Sequence, residues 1–208
     1  MRRNRISKPF FFWAYALSVG SAVIADILAF ATVMTGFKQD WLPAQLSHVL
    51  LLLHPHLAVL YWVLAIGYLL GLVVFVVFVY KAWKAIQDGQ ARTSAGKAAG
   101  FLLIPFFNIY WLFQAIWGFA KDYNRFLGRN ELAGSKLPEK LYLAFSILIS
   151  ARWLYKTVAT LKPITGVGYL LGPYYSYFLT ILTCILAVIV IYKTCNAVNV
   201  LPGPTAER

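Results

Sequence analysis

Charge is scarce in this chain. Only 12% of its 208 residues are Asp, Glu, Lys or Arg, against about 25% in ordinary soluble domains. Acidic residues are the scarcest of all, with 7 Asp and Glu against 19 Lys and Arg. There are only 2 cysteines, Cys184 and Cys195. They stand on one apolar helix, too far apart in sequence to bridge each other. They read as small packed residues, not as a redox or metal pair. Catalytic signatures are missing as well. No Ser/His/Asp ordering follows triad logic. No phosphate loop, no His-Glu-x-x-His and no Gly-x-Gly-x-x-Gly occurs. Nothing supports an enzyme, and no cofactor is expected. No stretch is polar enough for a soluble domain of any size.

Long apolar runs fill the space. Hydrophobic residues make up 61% of the chain. A spanning helix needs about 20 mainly apolar residues. Four stretches qualify, at about 10–35, 57–80, 141–161 and 175–198. A fifth, Phe101 to about Ala120, has the length but is broken early by Pro105. The chain therefore reads as an all-α integral membrane protein. It would have one membrane domain over residues 1–208, four transmembrane helices and one Pro-broken re-entrant or interfacial helical segment at about 101–126. Arg2, Arg3, Arg5 and Lys8 ahead of the first run resemble a secretory signal. The run continues past Val23-Ile24-Ala25, so a retained signal anchor is expected.

The net charge of +12 suggests loops kept in the cytoplasm rather than nucleic acid. Basic residues gather in the N-terminal tail, in Lys81–Lys97, in Lys121–Lys140 and at Lys193 and Arg208. The other two connections hold only Lys38 and Lys162. Both termini should then be cytoplasmic, and the loops near 38–56 and 162–174 should face outward. The segments on either side of Phe101–Ala120 are both basic, so this stretch is expected to enter and return on one side. Pro105 disfavours helix at Ile104. Asn108 is expected to cap the helix that follows, which would run through Trp117 to about Phe126. The rival reading is a helix lying flat at the interface.

Three charges fall inside expected spans: Asp26 in the first, Arg152 and Lys156 in the third. Each costs about 2.5–3.5 kcal/mol at mid-membrane and calls for a partner. Helical rise puts all three at similar heights. Ala14, Ser18, Ala22 and Asp26 form a small-residue ladder that lets helices approach closely. Spans one and three should touch, with Asp26 bonded to Lys156 or Arg152. A structural ion pair explains this as well as an ion relay or an anion site does. His48, His54 and His56 are weak metal candidates, because three or four ligands are wanted and only Asp40 is close in sequence. A plain interfacial segment accounts for them.

Gln114, Gly118, Lys121 and Arg125 recur on one helical stripe among Trp111, Phe113, Trp117 and Phe119. An aromatic and basic anchor at the interface accounts for it. The sharper reading is contact of Gln114, Lys121 and Arg125 with anionic lipid headgroups. The second and fourth spans both close on Tyr-Lys, at Tyr80-Lys81 and Tyr192-Lys193. Two out-and-back halves can therefore be drawn, as in some transporters.

Tyr80-Lys-Ala-Trp-Lys-Ala-Ile, a polar loop, then Thr93-Ser-Ala-Gly-Lys-Ala-Ala-Gly-Phe-Leu-Leu-Ile-Pro-Phe-Phe-Asn-Ile-Tyr-Trp resembles a family of bacterial multi-span membrane proteins. Its members carry an Ile-Pro-x-x-Asn segment, and some are fused to small domains of the GYF type. The resemblance covers about residues 75–125. It implies a bacterial inner membrane and singles out Pro105 and Asn108, with no activity attached. The expected function is a non-catalytic accessory or scaffold subunit of a larger membrane complex. Its partners would be membrane lipids, other membrane subunits or a second copy. The alternative is a small transporter or channel using Asp26, Arg152, Lys156 and the broken segment at Pro105–Asn108.

Overall fold

The computed structural model describes residues 6–17, 20, 24, 44–161 and 167–201. Among the described residues every regular element is helical. Helix α1 is described over residues 8–17. There follow α2 (Ala44–Lys84), α3 (Ala95–Gly100), a 3-10 turn (Phe101–Leu103), α4 (Phe107–Leu112), a π turn (Phe113–Trp117) and α5 (Gly118–Arg129). Helices α6 (Glu139–Leu161) and α7 (Val167–Val200) complete the order. The chain forms two compact units, Met1–Trp13 with Val74–Arg208, and Ala14–Val73. The described part of the second unit is helical.

Among the described residues two stretches are long and apolar enough to cross a membrane by length and composition, Trp62–Lys84 in α2 and Tyr175–Val200 in α7. Helix α6 covers the expected third span but carries Glu139, Lys140, Arg152 and Lys156 and does not meet the same test. Most of the expected first span, with Asp26, lies outside the described residues. The expected loops at 38–56 and 162–174 are corrected in part: α2 is already helical from Ala44, and α7 from Val167. Ala44-Gln-Leu and Leu50–Leu53 are strong helix formers. Pro55 removes only one backbone donor, which a long apolar helix tolerates. His48, His54 and His56 thus sit on a helix, and their side chains lie outside the described residues.

Helix α7 is apolar on both faces. Phe178, Ile181, Ile185, Ile189 and Tyr192 recur every three or four residues and are exposed. Leu179, Val190, Ile191 and Val198 are buried together with Thr180, Thr183, Ala187, Thr194 and Cys195. A helix with water on its outer face would carry polar residues there. Small and hydroxyl side chains among the contacts also occur where helices pack in lipid. The buried hydroxyls are bonded: Thr183 Oγ1 donates to Leu179 O at 2.6 Å, and the Thr194 and Tyr142 hydroxyls meet at 2.7 Å. On α6 the exposed apolar residues Ile147, Leu154 and Val158 repeat the period.

Within the first unit, α6 and α7 are antiparallel. Tyr142 meets Thr194 near the start of α6, and Tyr155 stacks edge-on against Tyr175 near its end. The start of α1 joins the end of α7. Asn199 both accepts from the Ile6 N–H at 2.8 Å and donates to the Ile6 carbonyl at 3.0 Å. The end of α2 joins them, since Phe11 packs on Phe78 and Lys81 lies over the Phe11 ring. Lys8 lies over Tyr192, and Lys84 over Tyr80. The tyrosine of each Tyr-Lys pair noted in the sequence thus carries a lysine over its ring.

Candidate functional site

The most elaborate part of the first unit is the hairpin from Ala95 to Arg129. Its rising arm is short. Ser94 caps α3 by accepting from the Lys97 N–H at 3.3 Å, and the 3-10 turn carries the chain to Ile104. The descending arm runs from Phe107 to Arg129 with one π turn in it. There the Gly118 N–H reaches back five residues to the Phe113 carbonyl. Such turns mark an inserted residue. The buried Trp83 indole donates to the Ala115 carbonyl in this turn at 2.8 Å, and its ring packs edge-on against Phe119. Trp111 ties the two arms by donating to the Ala98 carbonyl at 3.0 Å.

The base of the hairpin is clamped by ion pairs. Arg92 Nε donates to Asp122 Oδ1 at 2.6 Å, its backbone N–H to Oδ2 at 3.0 Å, and its Nη2 to the Gly118 carbonyl at 2.8 Å. The Asp122 side chain is only 3% exposed. A second pair joins Arg129 to Asp88 at 2.6 Å. Gly89, at φ +81°, turns the loop back there, and the Gln90 N–H bonds Asp88 Oδ1 at 3.0 Å. Asn124 holds the next connection, donating to the Leu137 carbonyl and to Glu139 Oε1 at 3.0 Å and accepting from the Leu137 N–H at 2.7 Å.

Burial works to raise the Asp88 carboxyl, but the Arg129 hydrogen bond and charge and the Gln90 N–H outweigh it, so it ionises below its ordinary 3.8. A depressed carboxyl adds stability above its unfolded value and loses it as pH falls through the folded one. Thermal unfolding in detergent should therefore show a loss of stability between about pH 5 and pH 3 that Asp88→Asn reduces. The pair is solvent-accessible, so the reduction should not exceed about 1 kcal/mol.

At the tip, Pro105 stands in the turn and Phe106 adopts φ +63°, ψ −43°. This is a γ-turn, rare and strained for a residue with a Cβ. The Phe107 N–H donates to the Pro105 carbonyl at 2.7 Å, the Asn108 N–H to Ile104 O at 2.9 Å, and the Ile104 N–H to Phe101 O at 3.4 Å. Strain of about 1–3 kcal/mol thus accompanies a turn whose donors are largely satisfied internally. An unsatisfied donor in hydrocarbon costs several kcal/mol, so the exchange favours the strained turn there. Exposed Leu103, Ile104 and Phe106 surround it.

The expected cap is corrected. The helix starts at Phe107 with Phe106 at the capping position and no side-chain cap. Asn108 falls two residues past the capping position, and its buried Oδ1 has no hydrogen-bond partner. The tip reaches well along α6, since the Phe106 ring lies 6.0 Å from that of Trp153. Trp153 is about 21 Å of helical rise beyond Glu139, which stands level with Asn124 at the hairpin's base.

Arg152 also lies at that height, and its Nε donates to Thr180 Oγ1 on α7 at 3.0 Å. Its expected partner Asp26 and the Lys156 side chain lie outside the described residues. Gln114, Lys121 and Arg125 all lie on the descending arm. Gln114 Nε2 donates to the Tyr110 hydroxyl at 3.3 Å, and Lys121 Nζ stands 3.3 Å from the Trp117 ring centroid. Arg125 Nη1 stands 3.7 Å from Asp122 Oδ1. No group of three or more His, Cys, Asp or Glu able to hold a metal occurs among the described residues.

Reading the sequence alone missed Arg92, Asp122 and Trp83. Asp122 carried a signal: a lone acid in a basic, aromatic helix needs a partner. Comparisons with protein-family models, curated proteins and solved structures found no match.

Proposed function

We propose that the chain is a non-catalytic multi-span protein of the bacterial inner membrane, an accessory or scaffold subunit that packs against lipids, other membrane subunits or a second copy of itself. The observation that carries this is the outer face of α7, where Phe178, Ile181, Ile185, Ile189 and Tyr192 form an exposed apolar stripe on a helix whose buried face is apolar as well. Three of the described carboxylates, Asp88, Asp122 and Glu139, support a structural role, because each is bonded at the base of the hairpin. The hairpin is then a re-entrant element. It enters from the basic side, turns at Pro105–Phe106 beside Trp153 and returns. Both termini remain on the cytoplasmic side, in keeping with the joining of α1's start to α7's end.

Gentle detergent extraction from native membranes tests the accessory role. A stable larger assembly of defined composition is expected, and a lone monomer in every detergent would sink it. Labelling of cysteines placed at Lys121–Lys140 from the outer face of intact cells would overturn the re-entrant path. One observation favours the transporter reading: Arg152 sits deep along α6 and bonds a buried threonine. Ion or solute flux in liposomes, abolished by Arg152→Gln, would replace the accessory role with that one.

A further inference from the structure

At α5 two cations, Arg92 from the preceding loop and Arg125, share one buried carboxylate, with a third, Lys121, next to it in sequence. Asp122 is bonded by Arg92, and Arg125 stands 3.7 Å from the same oxygen. Lys121, beside them in sequence, rests on Trp117. Gly118, Lys121, Asp122 and Arg125 occupy positions i, i+3, i+4 and i+7, one face of a helix. One carboxylate balances one cation, so two positive charges remain. The Arg92 and Arg125 side chains are 40% and 60% exposed, leaving free donors turned outward. Gly118 makes the cluster compact. A Cβ there would stand 3.1 Å from Arg92 Nη2 and 3.8 Å from Gln114 Oε1.

The surface changes character along the hairpin. From Arg92, packed over the buried Gly118, it passes to Gln114, then to the exposed Tyr110 that Gln114 bonds, then to Phe107, whose ring lies 5.9 Å from Tyr110. Exposed Leu103 and Phe106 follow at the tip. Cations give way to a polar step and then to an exposed apolar run. A phosphate with an attached hydrocarbon chain has this order of parts. A free phosphate would leave the apolar run without a use.

Building on the membrane reading above, we infer that Arg92, Lys121 and Arg125 hold the phosphate of an anionic phospholipid, whose chain follows Gln114, Tyr110 and Phe107 along the hairpin. Arginine forks and a lysine suit a phosphate diester. The neighbouring aromatic residues belong at headgroup level.

Lys121→Gln/Arg125→Gln tests this against Lys136→Gln/Lys140→Gln, which removes the same charge from exposed positions beyond the hairpin. Arg92 is left in place because it holds the clamp. Each protein is placed in nanodiscs of phosphatidylglycerol and phosphatidylcholine, released, and the retained lipids are counted by native mass spectrometry. Wild type and the Lys136/Lys140 variant should keep phosphatidylglycerol, and the Lys121/Arg125 variant should keep severalfold less. Equal retention in all three, or equal loss in both variants, overturns the site. Displacement of the lipid by millimolar inorganic phosphate shows a free-anion site and overturns the lipid. If the double variant does not fold, Lys121→Gln alone is read by the same criteria. Retention in the membrane fraction after alkaline carbonate washing is measured in parallel. Its failure would remove the membrane reading itself, whereas loss of selectivity alone removes only the headgroup site.

Discussion

Arg92→Ala is expected to destabilise the first unit by about 1.5–3 kcal/mol, the range for losing hydrogen bonds to a charged group, here a buried carboxylate with a half-exposed partner. The size follows from what is left behind. Asp122 is 3% exposed and would keep the Arg92 backbone N–H and a more distant Arg125. The Gly118 carbonyl would lose its guanidinium donor as well. Arg92→Lys should recover little, because one ammonium on a flexible stem cannot serve Asp122 and Gly118 in the fixed fork that arginine provides. Removing the acid too should help: Arg92→Ala/Asp122→Ala is expected to cost less than the two single changes added together. The measurement is the thermal unfolding midpoint in one detergent, with hydrogen exchange followed over Ala95–Arg129. Exchange should quicken there first. An Arg92→Ala protein as stable as wild type would mean that the clamp is decoration. Arg129→Ala offers the contrast in scale. Its pair with Asp88 is solvent-accessible, so about 0.2–1 kcal/mol is expected.

The all-helical class can be read from residue order, because apolar runs this long are helices rather than strands. The candidate span Tyr175–Val200 in α7 falls within two residues of the stretch read from composition. The break at Pro105 was visible for a local reason: a proline cannot donate and crowds the residue before it. Two features were hidden for the opposite reason. The γ-turn puts Phe106, not a glycine, at positive φ, and no propensity rule expects a phenylalanine there. That strained turn also moves the helix start ahead of Asn108, which is why a reasonable cap assignment failed.

The clamp was hidden by distance. Arg92 and Asp122 are thirty positions apart, and a loop arginine looks like any other member of a basic, membrane-side segment. Periodicity placed Gln114, Lys121 and Arg125 on one stripe, but the π turn between Phe113 and Trp117 adds a residue to that register. The stripe therefore works as a short α5 cluster that meets Gln114 where Arg92 packs over Gly118. A rule based on 3.6 residues per turn cannot see an inserted one.

The π turn carries its own expected result. Trp83→Ala should cost about 3–5 kcal/mol, since it empties the place of the largest fully buried side chain. Trp83→Phe separates the two things the indole does. A phenyl ring keeps much of the edge-on packing against Phe119 but has no N–H for the Ala115 carbonyl. A buried hydrogen bond is worth about 0.5–1.5 kcal/mol net, and more when its acceptor is left bare. Trp83→Phe should therefore fall between wild type and Trp83→Ala. Its loss should appear as faster hydrogen exchange at Gly118 and Phe119, just past the turn, more than in α7. If Trp83→Phe matches Trp83→Ala, volume is the whole contribution and the π turn stands without the indole. If it matches wild type with unchanged exchange, the carbonyl is served from within the helix. An intermediate stability with a local change in exchange would tie the end of α2 to the register of the hairpin. The aromatic-basic exit of that helix would then hold Gly118, and with it Arg92, in place.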